Sequence, residues 1–239
     1  MKKPIFIGII AAIIIAALAF IILTGEQNGS PHTIFLPSPV TDSGGSSGDD
    51  GIDRIEVNPE TVKVVLGTLT RTESFSRSYT LTSVWDGGQS ETTLNYWQSG
   101  ENIRLSITKN KTVRNILVRG TDLYTWYDGS SGVFKSKLGE SSVGSEVDMF
   151  AGLITYEDIM DVPDEDILDA SYVNQSGTPC IYVEYKGGSY NYVNQLYISV
   201  STGLLVSASS YDGDTLVSSL TSASTDLSTP SDSIFSIPT

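Results

Sequence analysis

Tyr96-Trp97-Gln98-Ser99-Gly100-Glu101-Asn102-Ile103-Arg104-Leu105-Ser106-Ile107-Thr108 is the stretch that decides the fold. Ile103, Leu105 and Ile107 alternate with Arg104, Ser106 and Thr108, which is a strand with one apolar face. Thr92 to Trp97 reads as the strand before it, and Gln98-Ser99-Gly100-Glu101 as the turn between them. The pattern extends in both directions. Upstream, Tyr79, Leu81, Ser83 and Trp85 alternate with Thr80, Thr82 and Val84, up to the hairpin signal Asp86-Gly87-Gly88-Gln89. Downstream, Lys109-Asn110-Lys111, Gly120-Thr121-Asp122 and Asp128 to Gly132 separate short strands at 113–118, 123–127 and 133–135. Six short strands joined by polar turns predict an antiparallel meander.

Helical spacing brackets this meander. Asn58-Pro59-Glu60 reads as a helix start, with Asn as the cap and Pro in the first turn. Val62, Val65, Leu66 and Leu69 then share a face, predicting a helix over 59–70. A central helix is expected over 146–160, with a loop or short second helix at 161–168. Five more strands are expected at 169–173, 180–185, 192–200, 204–211 and 215–223. The fold class is therefore mainly β (α+β): a curled antiparallel sheet of about eleven strands, a half-barrel, with one N-terminal and one central helix on its concave face. A sheet that wide must curl, and the helices are available to plug it.

Residues 4–23, PIFIGIIAAIIIAALAFIIL, are twenty residues without a charge, about the length that crosses a hydrocarbon core of roughly 30 Å. Lys2 and Lys3 precede the run and the next basic residue is Arg54, so the short N-terminus is expected inside and the remainder outside the cytoplasm. A cleaved signal peptide is the rival. Ala17-Leu18-Ala19 fits a cleavage site, but the apolar run continues past it and exceeds the usual signal core, so a retained single transmembrane helix is favoured. A lipoprotein is not expected, because the single cysteine, Cys180, is far from the run. The expected organisation is a cytoplasmic stub and anchor at 1–24, a Gly/Ser/Pro/Asp-rich flexible linker at 25–53 and an extracytoplasmic domain at 54–239. Thr33 to Leu36 is a small apolar island in the linker.

The part after the anchor has 12 basic against 28 acidic residues, a net of −16. Such a field repels nucleic acids, which are not expected partners. Mostly it keeps a surface soluble; its sharper use is to attract cations or cationic partners. Enzyme readings are poor: a paired-carboxylate glycosidase is compatible with the composition, but no carboxylate pair stands out. The one histidine, His32, lies in the linker, so neither a Ser-His-Asp nor a Cys-His arrangement can form in the domain. Cys180, in the run Cys180-Ile181-Tyr182-Val183, reads as a small buried hydrophobe. Asp161, Asp164, Glu165, Asp166 and Asp169 are a solvated acidic loop or, less simply, oxygen ligands for Ca²⁺ without the spacing of a calcium loop. No catalytic residues, cofactor or metal site are expected.

Three stretches carry a resemblance. Tyr96 to Arg104 followed by Ile116 to Tyr127 resembles a glycine turn, an arginine and an Asp-Leu-Tyr strand. Leu196 to Leu204 resembles a hairpin ending in Thr-Gly-Leu, and Asp232 to Pro238 a closing Phe-x-Ile-Pro strand. Together, from Asn58 to Pro238, the chain resembles the lipoprotein-carrier superfamily of LolA, LolB and LppX, in a membrane-anchored Gram-positive-type form. That resemblance implies a half-barrel around an apolar cavity, binding acyl chains or lipoproteins, or sensing and assembly in the envelope. A carrier shuttles, whereas an anchored domain receives, presents or senses.

The cavity wall is expected on the cleanest apolar faces: Leu81, Leu94, Tyr96, Ile103, Leu105, Ile107, Leu196 and Ile198, capped by Phe150 and Leu153. The same residues serve equally as a filled core, since both need one apolar face. Two functions from different classes follow. One is a non-enzymatic, membrane-anchored extracytoplasmic domain holding a lipid or lipidated protein. The other is an envelope sensor or assembly protein that binds another envelope protein through its acidic surface or a sheet edge.

Overall fold

The structure is a computed structural model and describes residues 34–35, 54–138, 147–148, 152–187, 190–223 and 225–238. Residues 4–23, where the membrane span is expected, lie outside them. Among the described residues no helix is long and apolar enough to cross a membrane. Two-residue strands β1 (Ile34–Phe35) and β2 (Arg54–Ile55) pair with each other, so the apolar island of the linker stretch meets the start of the domain.

Asn58 starts the first helix through a turn. Its side-chain Oδ1 accepts hydrogen bonds from the backbone N–H groups of Glu60 (3.1 Å) and Thr61 (3.0 Å), and its carbonyl accepts one from Val62 (2.9 Å). Helix α1 is then Val62–Leu66, shorter than the periodicity predicts, because Gly67 ends it. Val62, Val65 and Leu66 face the core, and Leu69 packs against it from the following turn.

Eleven strands make one antiparallel sheet. The N-terminal wing is β3 (Ser74–Trp85), β4 (Gly88–Ser99), β5 (Asn102–Lys109), β6 (Thr112–Arg119), β7 (Asp122–Tyr127) and β8 (Val133–Lys137). The C-terminal wing is β9 (Ile167–Gln175), β10 (Thr178–Gly187), β11 (Tyr192–Ser199), β12 (Leu205–Asp212) and β13 (Thr215–Ser222). The spatial order is β8-β7-β6-β5-β4-β3-β13-β12-β11-β10-β9. Each wing is a meander, and β3 with β13 is the one seam between them. The turn between β5 and β6 is Asn110 (φ 49°) and Lys111 (φ 67°). Two positive φ values in a two-residue loop match the right-handed strand twist.

Alternation puts Tyr96, Leu105 and Ile116 in one cross-strand row, and Val183, Leu196, Ala208 and Leu220 in another. The two rows belong to the same core as α1, so the wings fold toward each other around it. The opposite face carries a second, smaller cluster of Leu117, Trp126 and Phe235.

Three expectations need correction. Strand β3 begins at Ser74, ahead of the predicted Tyr79, because Arg77 occupies a core-facing position between Phe75 and Tyr79 and hides the alternation. It is 8% exposed, and it donates to Ser222 Oγ (2.6 Å) and the Ala223 carbonyl (3.3 Å). The central helix is interrupted. Val147–Asp148 is a helical turn, Gly152 takes φ 68°, Leu153–Thr155 are extended, and α2 is Tyr156–Met160. The Asp158 carboxylate accepts the Thr155 N–H (2.7 Å) and starts this new helix. Finally, the closing segment is no strand of the sheet. Asp232–Phe235 is a 3₁₀ turn on the outer face, where Arg104 donates to the Ile234 carbonyl (2.7 Å) and Arg119 to that of Phe235.

Candidate functional site

The sequence-predicted wall residues come together. Leu81, Leu94, Tyr96, Ile103, Leu105, Leu153, Leu196 and Ile198 are all buried in the main core, and Ile107 is partly buried against it. Phe150 lies outside the described residues. Tyr96 stacks on Phe75, with ring centroids 5.1 Å apart and planes 18° apart.

Where residues 147–148 and 152–160 lie over this face, the interior turns polar. Arg71, in the link between α1 and β3, reaches Asp148 with Nη1 2.6 Å from Oδ2, and Glu157 of α2 with Nη2 3.2 Å from Oε2. Asp148 is 5% exposed and Arg71 18%. Burial pushes the Asp148 carboxyl above the ordinary carboxylate value, against the pull of Arg71. Burial by itself would lower the Arg71 guanidinium, but Asp148 and Glu157 overcome this and hold it above its usual value. Tyr79 and Tyr96 have raised phenol values, in both cases first from burial.

A cavity of about 20 Å³ lies between this pair and the rings of Phe75, Tyr79 and Tyr96. That is room for about one water molecule, and its walls are polar enough to bind one. The Tyr96 hydroxyl and Arg71 Nε are buried without a hydrogen-bond partner among the described residues. In this conformation the core face is closed: Val147, Leu153 and Ile159 pack onto it, and the ion pair joins the covering segment to the sheet side.

Gly203 explains the Thr-Gly-Leu signature in physical terms. It takes φ 65°, and a Cβ there would meet Arg71 Cα and the Thr70 carbonyl oxygen, each at 3.0 Å. The hairpin between β11 and β12 therefore presses against the backbone that carries Arg71, and Thr72 N–H donates to the Thr202 carbonyl (3.0 Å).

Sequence reasoning missed Arg71, Asp148 and Glu157. One signal was available: Asp148 stands inside the apolar run Val147 to Ile154, where a charge demands a partner. The aromatic residues divide. Tyr96 and Tyr185 are core, Trp97 and Trp126 belong to the outer cluster, and Tyr127 and Tyr190 are exposed. Tyr182 faces Tyr197 at 5.1 Å, and Tyr190 stacks on Tyr192 at 5.5 Å. Cys180 is fully buried, which pushes its thiol up to about 11. In the acidic loop Asp164 pairs with Lys63 (2.7 Å). Among the described residues no three His, Cys, Asp or Glu side chains gather as a metal site would require.

No protein-family model matches the chain, and no curated protein is similar to it. Solved structures similar to it include a LolA superfamily protein from Nitrosomonas europaea, at 15% identity over 74% of this chain and 96% of that one, with a TM-score of 0.34. MucB is similar at 12% identity, over 73% of this chain and 61% of MucB, with a TM-score of 0.42. The MucA/MucB complex of Pseudomonas aeruginosa follows at 11%, 75% of this chain, 59% of that chain and 0.40. The chain thus spans about three-fifths of the MucB chains it matches.

Proposed function

We propose that the chain is a non-enzymatic, membrane-anchored extracytoplasmic binding domain that takes the apolar part of a lipid or lipidated protein into its half-barrel. The observation that carries this reading is the nature of the cover. An apolar sheet face is closed by a short, interrupted segment that is latched through a buried ion pair. Removing two charges from water costs several kcal/mol per ion and returns little net stability, so an ion pair is a poor way to make a permanent core. Arg71 Nε, buried at the same place, has no hydrogen-bond partner among the described residues. Local elements with few apolar contacts are those that open at low free-energy cost. When the segment 147–160 lifts, Leu94, Leu105, Leu196 and Ile198 face water as one strip, and an apolar chain is the occupant that removes the cost. The apolar run at 4–23 supports placing this strip near a bilayer, and the linker allows a reach of some tens of ångströms.

The test uses the whole chain in its own membrane. Cells fed a photoactivatable, click-taggable fatty acid are irradiated, and adducts are mapped by peptide mass spectrometry. Adducts at 94–105, 153–159 and 196–205 are expected. Labelling confined to residues 4–23 would refute the reading. In parallel, protease added to wall-stripped cells is expected to remove the domain; protection would refute the outward orientation.

A further inference from the structure

Among the described residues no strand pairs with either end of the open sheet, and the two ends are oppositely charged. Edge strand β8 is exposed along its whole length, with Phe134 71% and Val133 37% exposed. At the other edge, Leu168 is 40% exposed and Asp169 is exposed beside it on β9. Residues 102–138, which build β5 to β8, hold seven basic and two acidic side chains, a net of +5. Residues 156–187, from α2 through β10, hold one basic and eight acidic, a net of −7. Eleven strands at about 4.8 Å spacing put these edges roughly 48 Å apart along the sheet. Charges are screened over about 8 Å at physiological salt. The acidic total therefore does not decide what each edge attracts.

We propose that the chain associates head to tail, with β8 of one copy adding as a strand to β9 of the next. An unpaired strand edge is a template for another strand, and charge selects which one. Pairing β8 with β8 about Ser136 would set Lys135 and Lys137 of the two copies against each other. Pairing β9 with β9 would oppose Asp169 and the acidic turn before it. Like charges across a ladder destabilise, and opposite charges stabilise.

Register and face agree with the choice. Strands β8 and β9 stand first and eleventh in an all-antiparallel sheet, so they run in the same direction. A copy related by translation presents β9 parallel to β8, with core face continuing core face. Placing Lys135 opposite Asp169 keeps both on the outer face, since Lys135 follows Leu117 and Tyr124 across the ladder and Asp169 follows Gln195 and Glu184. Phe134 then lies beside Leu168, and Ser136 beside Ala170. Lys135 is already held at the edge by Asp122 (2.8 Å) and over the Tyr124 ring (5.1 Å). Such a contact leaves one free edge of each sign on every complex, so association proceeds beyond two copies.

The experiment uses full-length chains in membranes, carrying different tags. One copy bears Phe134→Cys and the other Leu168→Cys, both exposed positions that leave the charges intact; native Cys180 is buried. Oxidation is expected to give mixed disulfides several-fold above either like pair. Adding Lys135→Glu and Lys137→Glu to the first copy is expected to cut the mixed product several-fold, and adding Asp169→Lys to the second to restore it. The restored signal also shows that the variants fold. Like pairs forming as readily as mixed ones, a yield indifferent to charge reversal, or no mixed product would each overturn the proposal. The outcome is independent of whether the interior takes up a lipid.

Discussion

Replacing Arg71 with alanine strikes the ion pair from its more consequential side. Asp148, 5% exposed, is left without the guanidinium 2.6 Å away, whereas Arg71 in the converse Asp148→Ala variant keeps Glu157 at 3.2 Å and 18% contact with solvent. Breaking a fully buried pair costs about 3–5 kcal/mol, because an uncompensated charge remains. Here the cost is smaller, since Arg71 is partly wet and Asp148 can take up a proton. The expected destabilisation at pH 7 is about 2–3 kcal/mol for Arg71→Ala and about 1 kcal/mol for Asp148→Ala. Removing both residues eliminates the stranded charge, so the double variant is expected to cost about as much as Asp148→Ala by itself. The coupling is then about 2 kcal/mol, within the range seen for residues in direct contact. Urea unfolding of the full chain in non-ionic micelles, followed by tryptophan emission, measures all three. Equal losses from the two single changes, or a double variant equal to their sum, would refute the account of the latch.

The same pair predicts a pH dependence. Burial raises the Asp148 carboxyl in the closed state, so the closed state binds a proton more tightly than a state in which Asp148 is in water. This stabilisation is complete below the ordinary carboxylate value of about 4 and is lost as pH rises through the closed-state value. Hydrogen exchange over 152–160, corrected for intrinsic rates, is expected to show more opening at pH 7 than at pH 4; the reverse order contradicts it. Gly203→Ala is expected to cost at least about 2 kcal/mol, against about 1 for Gly213→Ala. Both glycines have positive φ, but a Cβ at Gly203 meets backbone at 3.0 Å and one at Gly213 meets nothing within 4 Å. Melting curves showing equal losses would remove the role given to that hairpin. Phe235→Ala is expected to cost about 3 kcal/mol, as for other buried phenylalanines, and to red-shift the emission of Trp126 beneath it; an unshifted spectrum would mean that the outer segment does not shield that ring.

Much of the architecture was legible because it is written in local periodicity. Alternation at 103–108 and the turns at Asp86-Gly87 and Asn110-Lys111 each depend on a few adjacent residues, and the sheet has them where they were expected. The amphipathic start at Asn58 to Leu66 is local in the same sense. Convergence of Leu94, Leu105, Leu196 and Ile198 on one core follows from alternation once the sheet curls. The remainder depends on partners distant in sequence. Arg77 conceals the start of β3 because its core-side position is tolerable only with Ser222 and Ala223 beside it, about 145 residues on. The 77-residue separation of Arg71 and Asp148 gives neither residue a local signature. The seam of β3 with β13, the break at Gly152 and the placement of Asp232–Phe235 on the outer face are likewise set by the whole molecule. Periodicity states which face of an element avoids water. Which other face it meets is decided by summed burial and the pairing of buried charges, and these exist only once the chain has closed on itself.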